Sequence, residues 1–246
     1  MRILILAAGY GTRLYPLTLE MPKPLIKINN KPIINFLMDK ILYLEKYFKI
    51  EEVRVVTNNK FYNNFLDWKN IYKINAKIFN DGTNSPHERL GAIKDIQFAI
   101  ENTKDNWLIL GGDNLFEDSL VEFLKFSQKN KPCVTIGVCR LENKSQASRF
   151  GIVDLDINGC ILRFEEKPKI PFSDLAASCI YFFPKDSLYL LDEFINSKEN
   201  ADASGKYISW LVKNNKVFGY ILKGKWFDIG HFETLKIAEK EFLIKL

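Results

Sequence analysis

The sequence predicts an α/β protein of three layers, in which helices cover both faces of a doubly wound, mixed β-sheet. Three observations lead to this prediction. An apolar run over Arg2 to Ala7 is bounded by glycine and is typical of a strand covered on both faces, the usual state in a parallel sheet. Strand-like and helix-like segments then alternate as far as Cys139. Beyond Arg149, the segments GIVDLD and CILRFEEKP flank the turn pair Asn158-Gly159, which indicates an antiparallel hairpin.

The amino-terminal half is predicted to be built from βαβ units. Apolar residues at helical spacing predict a helix over Ile33 to Phe48, and the run EVRVVT predicts a strand over Glu52 to Thr57. The same criteria predict a helix near Lys60 to Trp68, a strand over Asn75 to Phe79, a helix over Glu88 to Ile100, a strand over Trp107 to Leu110, a helix over Leu120 to Gln128 and a strand over Val134 to Cys139.

The carboxyl-terminal half continues after the hairpin with fewer repeats of that unit. The predicted elements are a strand over Ala176 to Phe183, helices over Lys185 to Phe194 and near Lys206 to Lys213, a strand over Val217 to Leu222, a short WFDIG segment and a helix over His231 to Phe242. No linker rich in Pro, Gly or Ser interrupts the chain, and no segment repeats. We therefore expect one domain over residues 1–246, with lobes of about residues 1–130 and 131–246.

The composition is that of an ordinary globular protein. Hydrophobic residues make up 47% and charged residues 26% of 246 residues, which excludes a disordered or fibrous chain. The net charge of +5 is spread along the chain, so it suits a small anionic ligand and does not indicate a nucleic-acid-binding surface.

The cysteines, the histidines and the lengths of the apolar segments bear on metal binding, hydrolase chemistry and cellular location. The four cysteines form no CxxC pair and the two histidines, His87 and His231, lie far apart, which disfavours zinc and offers no triad for a hydrolase. The apolar stretch Ile3 to Ala8 is shorter than the core of a signal peptide, and no stretch is long enough to cross a membrane. We expect a cytoplasmic protein with free thiols and no membrane contact.

A glycine-rich loop follows the first predicted strand. In Ala8-Gly9-Tyr10-Gly11-Thr12-Arg13, two glycines would let backbone N–H groups curl around an anion. Leu14 breaks the GxGxxG dinucleotide pattern, and no GK[ST] follows, so neither common nucleotide motif is present. Such a turn is also compatible with a purely structural role. Arg13 and Lys23, on the proline-punctuated stretch LYPLTLEMPKPL, favour a loop that holds a triphosphate.

Five segments carry a resemblance to a known family. They are ILAAGYGTRLYPLTLEMPKPLI from Ile5, GGDNLF from Gly111, RFGIVDLD from Arg149, FEEKPK from Phe164 and WFDIG from Trp226. The chain resembles the sugar-1-phosphate nucleotidyltransferases, or nucleotide-sugar pyrophosphorylases, and is most similar to the glucose-1-phosphate thymidylyltransferase type. The resemblance implies the Rossmann-like fold of the nucleotide-diphospho-sugar transferases, with the nucleotide bound by the first lobe and the sugar by the second.

The resemblance also implies a set of nucleotide-binding residues. These are Leu6, Ala8, Gly9, Gly11, Thr12, Arg13, Lys23, Asn80 and Gly91. Asn80 falls where an amide reads the base but is one methylene shorter than the glutamine expected there. It could pair with thymine or uracil, or with cytosine if its amide is flipped, so dTTP and UTP are favoured and CTP stays open. The loop DGTNSPHERLG, which ends at Gly91, is longer than is usual in the family that the chain resembles.

Two aspartates are predicted to bind Mg²⁺. Asp113 follows the apolar segment WLILGG, and the carboxyl ends of strands are where open α/β sheets bind ligands. Asp228 lies in WFDIG, and a divalent ion on a triphosphate needs one or two carboxylates. In the family that the chain resembles, these two positions hold the metal. The alternative for each residue is a cap of a turn or helix.

The predicted sugar-phosphate-binding residues are Gly151, Glu166, Lys167 and Cys179. Regular strand alternation puts Glu166 and Lys167 on opposite faces, so joint contact with one sugar phosphate requires a twist or bulge before Pro168. A solvated strand edge with an ion pair is the alternative. Gly151 would admit the sugar close to the backbone or simply start a strand. Cys179 replaces a glycine beside the sugar and would narrow the pocket, which leaves glucose in doubt.

The predicted activity is Mg²⁺-dependent transfer of a nucleoside monophosphate from a nucleoside triphosphate to a sugar 1-phosphate, with release of pyrophosphate. Its catalytic residues would be Arg13, Lys23, Asp113 and Lys167. One alternative is an enzyme of the same fold that acts on another phosphomonoester, such as phosphocholine. The other is a nucleotide-sensing subunit without turnover. The partners would be the two substrates, with no nucleic acid, and a homo-oligomer is compatible with the family.

Overall fold

A computed structural model describes residues 1–101, 103–142, 144–197 and 204–242. The strands are β1 (Arg2–Leu6), β2 (Lys27–Ile28), β3 (Lys31–Pro32), β4 (Glu52–Thr57), β5 (Lys77–Asn80), β6 (Trp107–Gly111), β7 (Asn114–Phe116), β8 (Val134–Arg140), β9 (Gly151–Leu155), β10 (Ile161–Glu166), β11 (Leu175–Phe183), β12 (Val217–Leu222) and β13 (Trp226–Asp228). The α-helices are α1 (Ile33–Leu44), α2 (Tyr62–Ile71), α3 (Ala92–Ile100), α4 (Leu120–Lys129), α5 (Tyr189–Asn196), α6 (Ser204–Asn214) and α7 (Phe232–Glu241).

A nine-stranded mixed sheet forms the centre of the molecule. β1 pairs in parallel with β4 on one side and β6 on the other, and β5 extends the sheet beyond β4. β11 pairs antiparallel with β6 and β8, and β12 pairs in parallel with β8. The β9–β10 hairpin joins the start of β11 through β9. The predicted change from parallel to antiparallel pairing is confirmed.

Helices cover both faces of this sheet. Alternate residues of β1 are fully buried and point to opposite faces: Ile3 and Ile5 pack with apolar residues of α1, α2 and α4, whereas Leu4 packs with those of α3, α5 and α6. Each such side chain contributes about 1.5–3 kcal/mol when fully buried. The three predicted layers are therefore present, and β1 is central, as its apolar run indicated.

A smaller apolar cluster packs α7 against the loop that follows β1 and against β7. It joins Leu235 and Ala238 of α7 to Leu14, Leu115 and Ile229. β13 pairs antiparallel with β7 beside this cluster, so the segment WFDIG is brought to the end of β6. None of the helices over the described ranges has the length and apolar character needed to cross a membrane.

Several predicted boundaries were wrong for identifiable local reasons. The helix expected from Glu88 begins at Ala92, because Gly91 has a φ of 88°, outside the helical region. The helix expected from Lys60 begins at Tyr62, after a 3₁₀ turn that Asn58 caps through Phe61 N. The helix expected from Lys185 begins at Tyr189, again after a 3₁₀ turn.

Candidate active site

The glycine loop continues from the carboxyl end of β1 at Leu6, whose carbonyl accepts a hydrogen bond from Gly112 N. Gly11 has a φ of 63°, and a Cβ there would lie 3.1 Å from Thr18 Cγ2, so this position requires glycine. Gly9 differs, because a Cβ there would meet nothing within 4 Å. The loop is thus tightly held at Gly11 and open at Gly9, and Thr12 starts a short 3₁₀ turn after it.

Two residues outside the predicted binding set hold this loop. Asn58 is fully buried; its Nδ2 donates to Ala8 O at 2.9 Å, and its Oδ1 accepts from Phe61 N at 3.0 Å. Tyr10 is also buried, and its hydroxyl is 3.0 Å from Thr83 Oγ1. These contacts tie the glycine loop to the ends of β4 and β5. The position of Asn58 directly after a strand and before a helix was the available signal.

Lys23, Asp113 and Asp228 come from distant parts of the chain and lie together. Lys23 Nζ is 2.5 Å from Asp113 Oδ2. The pairing of β13 with β7 sets Asp228 opposite Asn114, and Ile229 N donates to Asp113 O at 3.1 Å. The predicted pair of carboxylates therefore meets at the carboxyl end of β6, with a lysine on one of them.

The Asp113 carboxylate is oriented from both sides. Asn114 Nδ2 donates to Asp113 Oδ1 at 2.9 Å, opposite the bond from Lys23 to Oδ2. Trp226 Nε1 in turn donates to Asn114 Oδ1 at 2.8 Å. Asn114 and Trp226 lie inside the quoted motifs, but their side chains were given no role, because the pairing of β7 with β13 that brings them together had no sequence signal.

The two carboxylates have opposite pKa shifts. Burial, followed by the charge of Asp113, raises the pKa of Asp228 to about 6, although Lys23, Arg13 and Lys167 act in the opposite direction. Burial also acts to raise the pKa of Asp113, but the charge and hydrogen bond of Lys23 outweigh it and the pKa is lowered. For Lys23, burial acts to lower the pKa, and the two carboxylates reverse this and raise it.

Arg13 lies over the turn that follows Asp228. A Cβ on Gly230 would be 3.5 and 3.6 Å from the two terminal guanidinium nitrogens of Arg13, and 3.6 Å from Asp228 Oδ2. Nη1 of Arg13 is also 3.1 Å from Nε2 of His231. The structure therefore brings Arg13, Lys23 and both aspartates to one edge of the sheet, beside the glycine loop.

Lys167 and Glu166 face the same region in spite of their adjacent positions. β10 ends at Glu166, and Lys167 has a φ of 50°, in the left-handed region. This turn brings Lys167 Nζ to 3.5 Å from Glu166 Oε1. Joint contact with one sugar phosphate required a twist or bulge before Pro168, and the left-handed turn at Lys167 supplies it. The ion pair of the alternative, a solvated strand edge, is present as well.

Glycines shape the surroundings of Glu166. A Cβ on Gly205, at the start of α6, would overlap the Glu166 carboxylate, so Gly205 is a further site residue that the sequence analysis missed. A Cβ on Gly151 would lie 2.5 Å from Phe164 Cζ. It would also lie 3.1 Å from Glu166 Oε2, so Gly151 is in contact range of both Phe164 and the Glu166 carboxylate, and it starts β9.

Cys179 lies on β11 against Gly111, where a Cβ would be 2.9 Å from Cys179 Cβ. Burial raises the pKa of Cys179 to about 12, and the charge of Asp113 contributes. The thiol therefore stays protonated and is no nucleophile. All four cysteines are free, as expected.

Asn80 and Gly91 bound the loop beyond β5. Asn80 Nδ2 donates to Asn59 Oδ1 at 2.8 Å, and Asn80 Oδ1 accepts from Gly82 N at 2.9 Å. Each end of the amide keeps capacity for one more hydrogen bond. Gly91 caps the start of α3. Tyr10 and Thr83 connect this loop to the glycine loop.

The donor set fits Mg²⁺ on a phosphate ligand. No cluster of three His, Cys, Asp or Glu side chains suited to a metal ion occurs in the part of the chain that the structure describes. Two adjacent carboxylates, one of them with a raised pKa, are nevertheless the oxygen ligands that Mg²⁺ takes together with phosphates and water. Asp113 and Asp228 are the residues that would hold it.

Comparison with known proteins identifies the family. A family model described as nucleotidyl transferase matches residues 2–243. The chain belongs to the nucleotidyl transferase family. This confirms the family that the five motifs indicated, and members of it transfer nucleotidyl groups.

Curated relatives include the bifunctional protein GlmU from Methanococcus maripaludis strain C7, at 30% identity over 253 residues, and GlmU from Methanocaldococcus jannaschii, at 31% identity over 252 residues. Each alignment covers 100% of this chain and 55% of the relative. The chain thus spans about half the length of these relatives.

Solved structures confirm the fold. A glucose-1-phosphate thymidylyltransferase from Bacillus anthracis, solved in complex with a sucrose, has a TM-score of 0.82 at 21% identity, over 98% of this chain and 94% of that one. UDP-glucose pyrophosphorylase complexed with UDP-glucose has a TM-score of 0.78 at 19% identity, over 98% and 97% of the two chains. The expected nucleotide-diphospho-sugar transferase architecture is therefore present.

Proposed function

We propose that this protein transfers a nucleoside monophosphate from a nucleoside triphosphate to a sugar 1-phosphate and releases pyrophosphate, with Mg²⁺ as cofactor. One observation carries the proposal: Lys23 lies 2.5 Å from Asp113 at the edge where Asp228 and Arg13 also lie, beside an open glycine loop. Fixed cations, paired carboxylates and backbone N–H groups are the parts that phosphoryl transfer uses.

The attacking group needs little activation. The second pKa of a phosphomonoester is about 6, so a sugar 1-phosphate is mostly dianionic at neutral pH and requires no general base. The main barrier is the approach of two anions. Lys167, beside Glu166, would hold the sugar phosphate, and Glu166 would accept hydrogen bonds from sugar hydroxyls.

The nucleotide side would neutralise the triphosphate. Backbone N–H groups at Gly9 and Gly11 would face the phosphates, and Arg13 would stabilise the departing pyrophosphate. Lys23 would offset charge at the α-phosphate from its position on Asp113. Mg²⁺ on Asp113 and Asp228 would supply further neutralisation and orientation of the phosphates. The reaction then depends on placement of charge more than on proton transfer.

Substrate identity follows from two weaker features. Asn80 favours dTTP or UTP and is compatible with CTP, since each end of its amide retains one bonding position. Cys179, which lies against Gly111, would narrow the space beside the sugar. The names of the relatives, GlmU and UDP-glucose pyrophosphorylase, favour a sugar phosphate over another phosphomonoester.

The test is a grid of pyrophosphate-release assays with and without Mg²⁺. It crosses dTTP, UTP, CTP, GTP and ATP with glucose-, galactose-, mannose- and N-acetylhexosamine 1-phosphates and phosphocholine. We expect release that requires one triphosphate, one sugar 1-phosphate and Mg²⁺. Release with phosphocholine and with none of the sugar 1-phosphates would show that the acceptor is a different phosphomonoester from the one proposed. Binding of a triphosphate without release in any combination would favour the nucleotide-sensing subunit.

A further inference from the structure

His231 lies beside Arg13, although 218 residues separate them in the chain. Nε2 of His231 is 3.1 Å from Nη1 of Arg13. A guanidinium group can only donate hydrogen bonds, so the imidazole nitrogen accepts this one and the ring hydrogen lies on Nδ1. The sequence showed no partner for His231, and the structure supplies one inside the candidate site.

The charges around His231 keep its ring neutral. Burial lowers the pKa of His231, and the positive charges of Arg13, Arg149 and Lys23 lower it further. Glu233, in the first turn of α7, acts in the opposite direction and does not reverse the shift. A neutral ring is the form that can accept from Arg13, so electrostatics and hydrogen bonding agree.

The guanidinium of Arg13 also lies close to Gly230. It lies over Gly230, at a place where a Cβ would approach both its terminal nitrogens at 3.5 and 3.6 Å. His231 is thus the residue of the turn 228–231 that contacts Arg13 directly, and the charge of Arg13 also acts on Asp228. Arg13 is otherwise exposed to solvent.

We propose that His231 is a positioning residue whose neutral ring holds the Arg13 guanidinium in place for the β- and γ-phosphates of the triphosphate. The inference rests on the proposed function, since it gives Arg13 a phosphate to bind. An exposed arginine without an acceptor occupies many rotamers, and ligand binding must then order it. An arginine held in advance avoids that cost, so His231 acts on phosphate affinity more than on the chemical step.

Two substitutions test whether the hydrogen-bond acceptor of His231, and not another property of the ring, is what matters. His231→Gln keeps an acceptor at a similar reach, whereas His231→Asn is too short to meet Arg13. Asparagine is a preferred residue at the start of a helix, where His231 lies, so His231→Asn is expected to fold. His231→Leu, which has no acceptor, serves as a second loss variant.

The first readout is the Kd of inorganic pyrophosphate with Mg²⁺ at pH 8, measured by calorimetry. We expect His231→Asn and His231→Leu to raise this Kd about tenfold, and His231→Gln to stay within about threefold of the unmodified protein. In turnover, KM for the triphosphate should rise while kcat changes little. Unchanged affinity in both loss variants, or equal loss in His231→Gln, would overturn the proposal.

A double-mutant cycle tests whether His231 acts through Arg13. In an Arg13→Ala background, His231→Asn should have no further effect on the pyrophosphate Kd. An equal loss in both backgrounds would mean that His231 binds phosphate itself. That role would also make pyrophosphate affinity rise from pH 8 to pH 6 in the unmodified protein and not in His231→Gln, which again overturns the proposal.

The binding measurement is independent of turnover. If the assay grid shows no nucleotidyl transfer while pyrophosphate binds and depends on His231 as described, the proposed reaction fails and the positioning of Arg13 stands. If transfer occurs and the His231 variants bind pyrophosphate normally, the proposed reaction stands and the role of His231 fails.

Discussion

The two sides of the candidate site are built in different ways. The phosphate side, which comprises residues 6–14 with Lys23, Asp113 and Asp228, is fixed by hydrogen bonds and charges. Gly11 is held through Thr18, and Lys23 is held by Asp113. The sugar side, which comprises Glu166, Lys167 and Cys179 with Gly111 and Gly205, is shaped by the absence of side chains on neighbouring elements.

Because of this difference, we expect substitutions on the two sides to have different effects. On the phosphate side, a changed residue removes a partner and leaves a charge in a half-buried place, which is costly. On the sugar side, a changed glycine displaces a side chain that can move, because a Cβ on Gly205 meets the far end of Glu166. The phosphate side should therefore govern turnover, and the sugar side should govern which acceptor is used.

The largest expected effect comes from breaking the phosphate side at Asp113. Asp113→Asn keeps the shape but removes the charge that pairs with Lys23, and it leaves Asp228 as the one carboxylate of the pair. We expect pyrophosphate release to fall by about a hundredfold or more, the order of loss for one electrostatic group in a transition state. Steady-state assays measure it, with Asp67→Asn on the exposed face of α2 as the control. A rate within threefold of the unmodified protein would remove Asp113 from the catalytic residues.

A smaller effect is expected from Gly205→Ala on the sugar side. The added methyl group should push the Glu166 carboxylate aside, so KM for the sugar 1-phosphate should rise about tenfold, the value of one hydrogen bond to a charged group. KM for the triphosphate and the melting temperature should hardly change. Ser209→Ala, on the exposed face of α6, is the control. An equal rise in both KM values would show that the two sides are not separable in this way.

The contrast between the two sides also explains how far the sequence could predict the site. Arg13, Lys23 and Asp113 follow strands or glycine turns within short motifs, and the parallel order of β1, β4 and β6 brings those ends together. Asn58, Gly205 and His231 were missed because their partners lie in remote segments. Gly205, for example, has no function in α6 itself and matters only because Glu166 lies against it.

The fold shows the same limit. Long apolar periodicity predicted the main strands and every α-helix, since burial on one or two faces leaves a repeating pattern. The pairs β2–β3 and β7–β13 were not predicted, because two or three residues carry no period. Yet β13 sets Asp228 beside Asp113, so a pairing without a sequence pattern completes the carboxylate pair that the motifs only suggested.

Base selection is expected to depend modestly on Asn80. Asn80→Ala should reduce the preference among triphosphates by roughly fivefold, the value of about one hydrogen bond of 1 kcal/mol. The ratio of kcat/KM for dTTP, UTP and CTP is the measurement, and Asn63→Ala on the exposed face of α2 is the control. An unchanged preference would place base reading elsewhere, with Asn59, the partner of Asn80, as the next residue to replace.

The smallest expected effect concerns stability and acidity at Asp228. Its pKa is raised to about 6 by burial and by Asp113, against about 3.9 in an unfolded chain. The folded state therefore binds the proton more tightly, and stability falls as pH rises through the interval between these values. Asp228→Asn lacks this proton, so the two proteins should melt alike near pH 4, and the variant should melt a few degrees higher at pH 7. Mg²⁺ should narrow the gap at pH 7, because Asp113 and Asp228 would bind it in the folded unmodified protein and the variant lacks one of these ligands. Melting curves from pH 4 to 8, with and without Mg²⁺, measure both effects. A gap that does not depend on pH would show that the pKa of Asp228 is not raised in the folded protein.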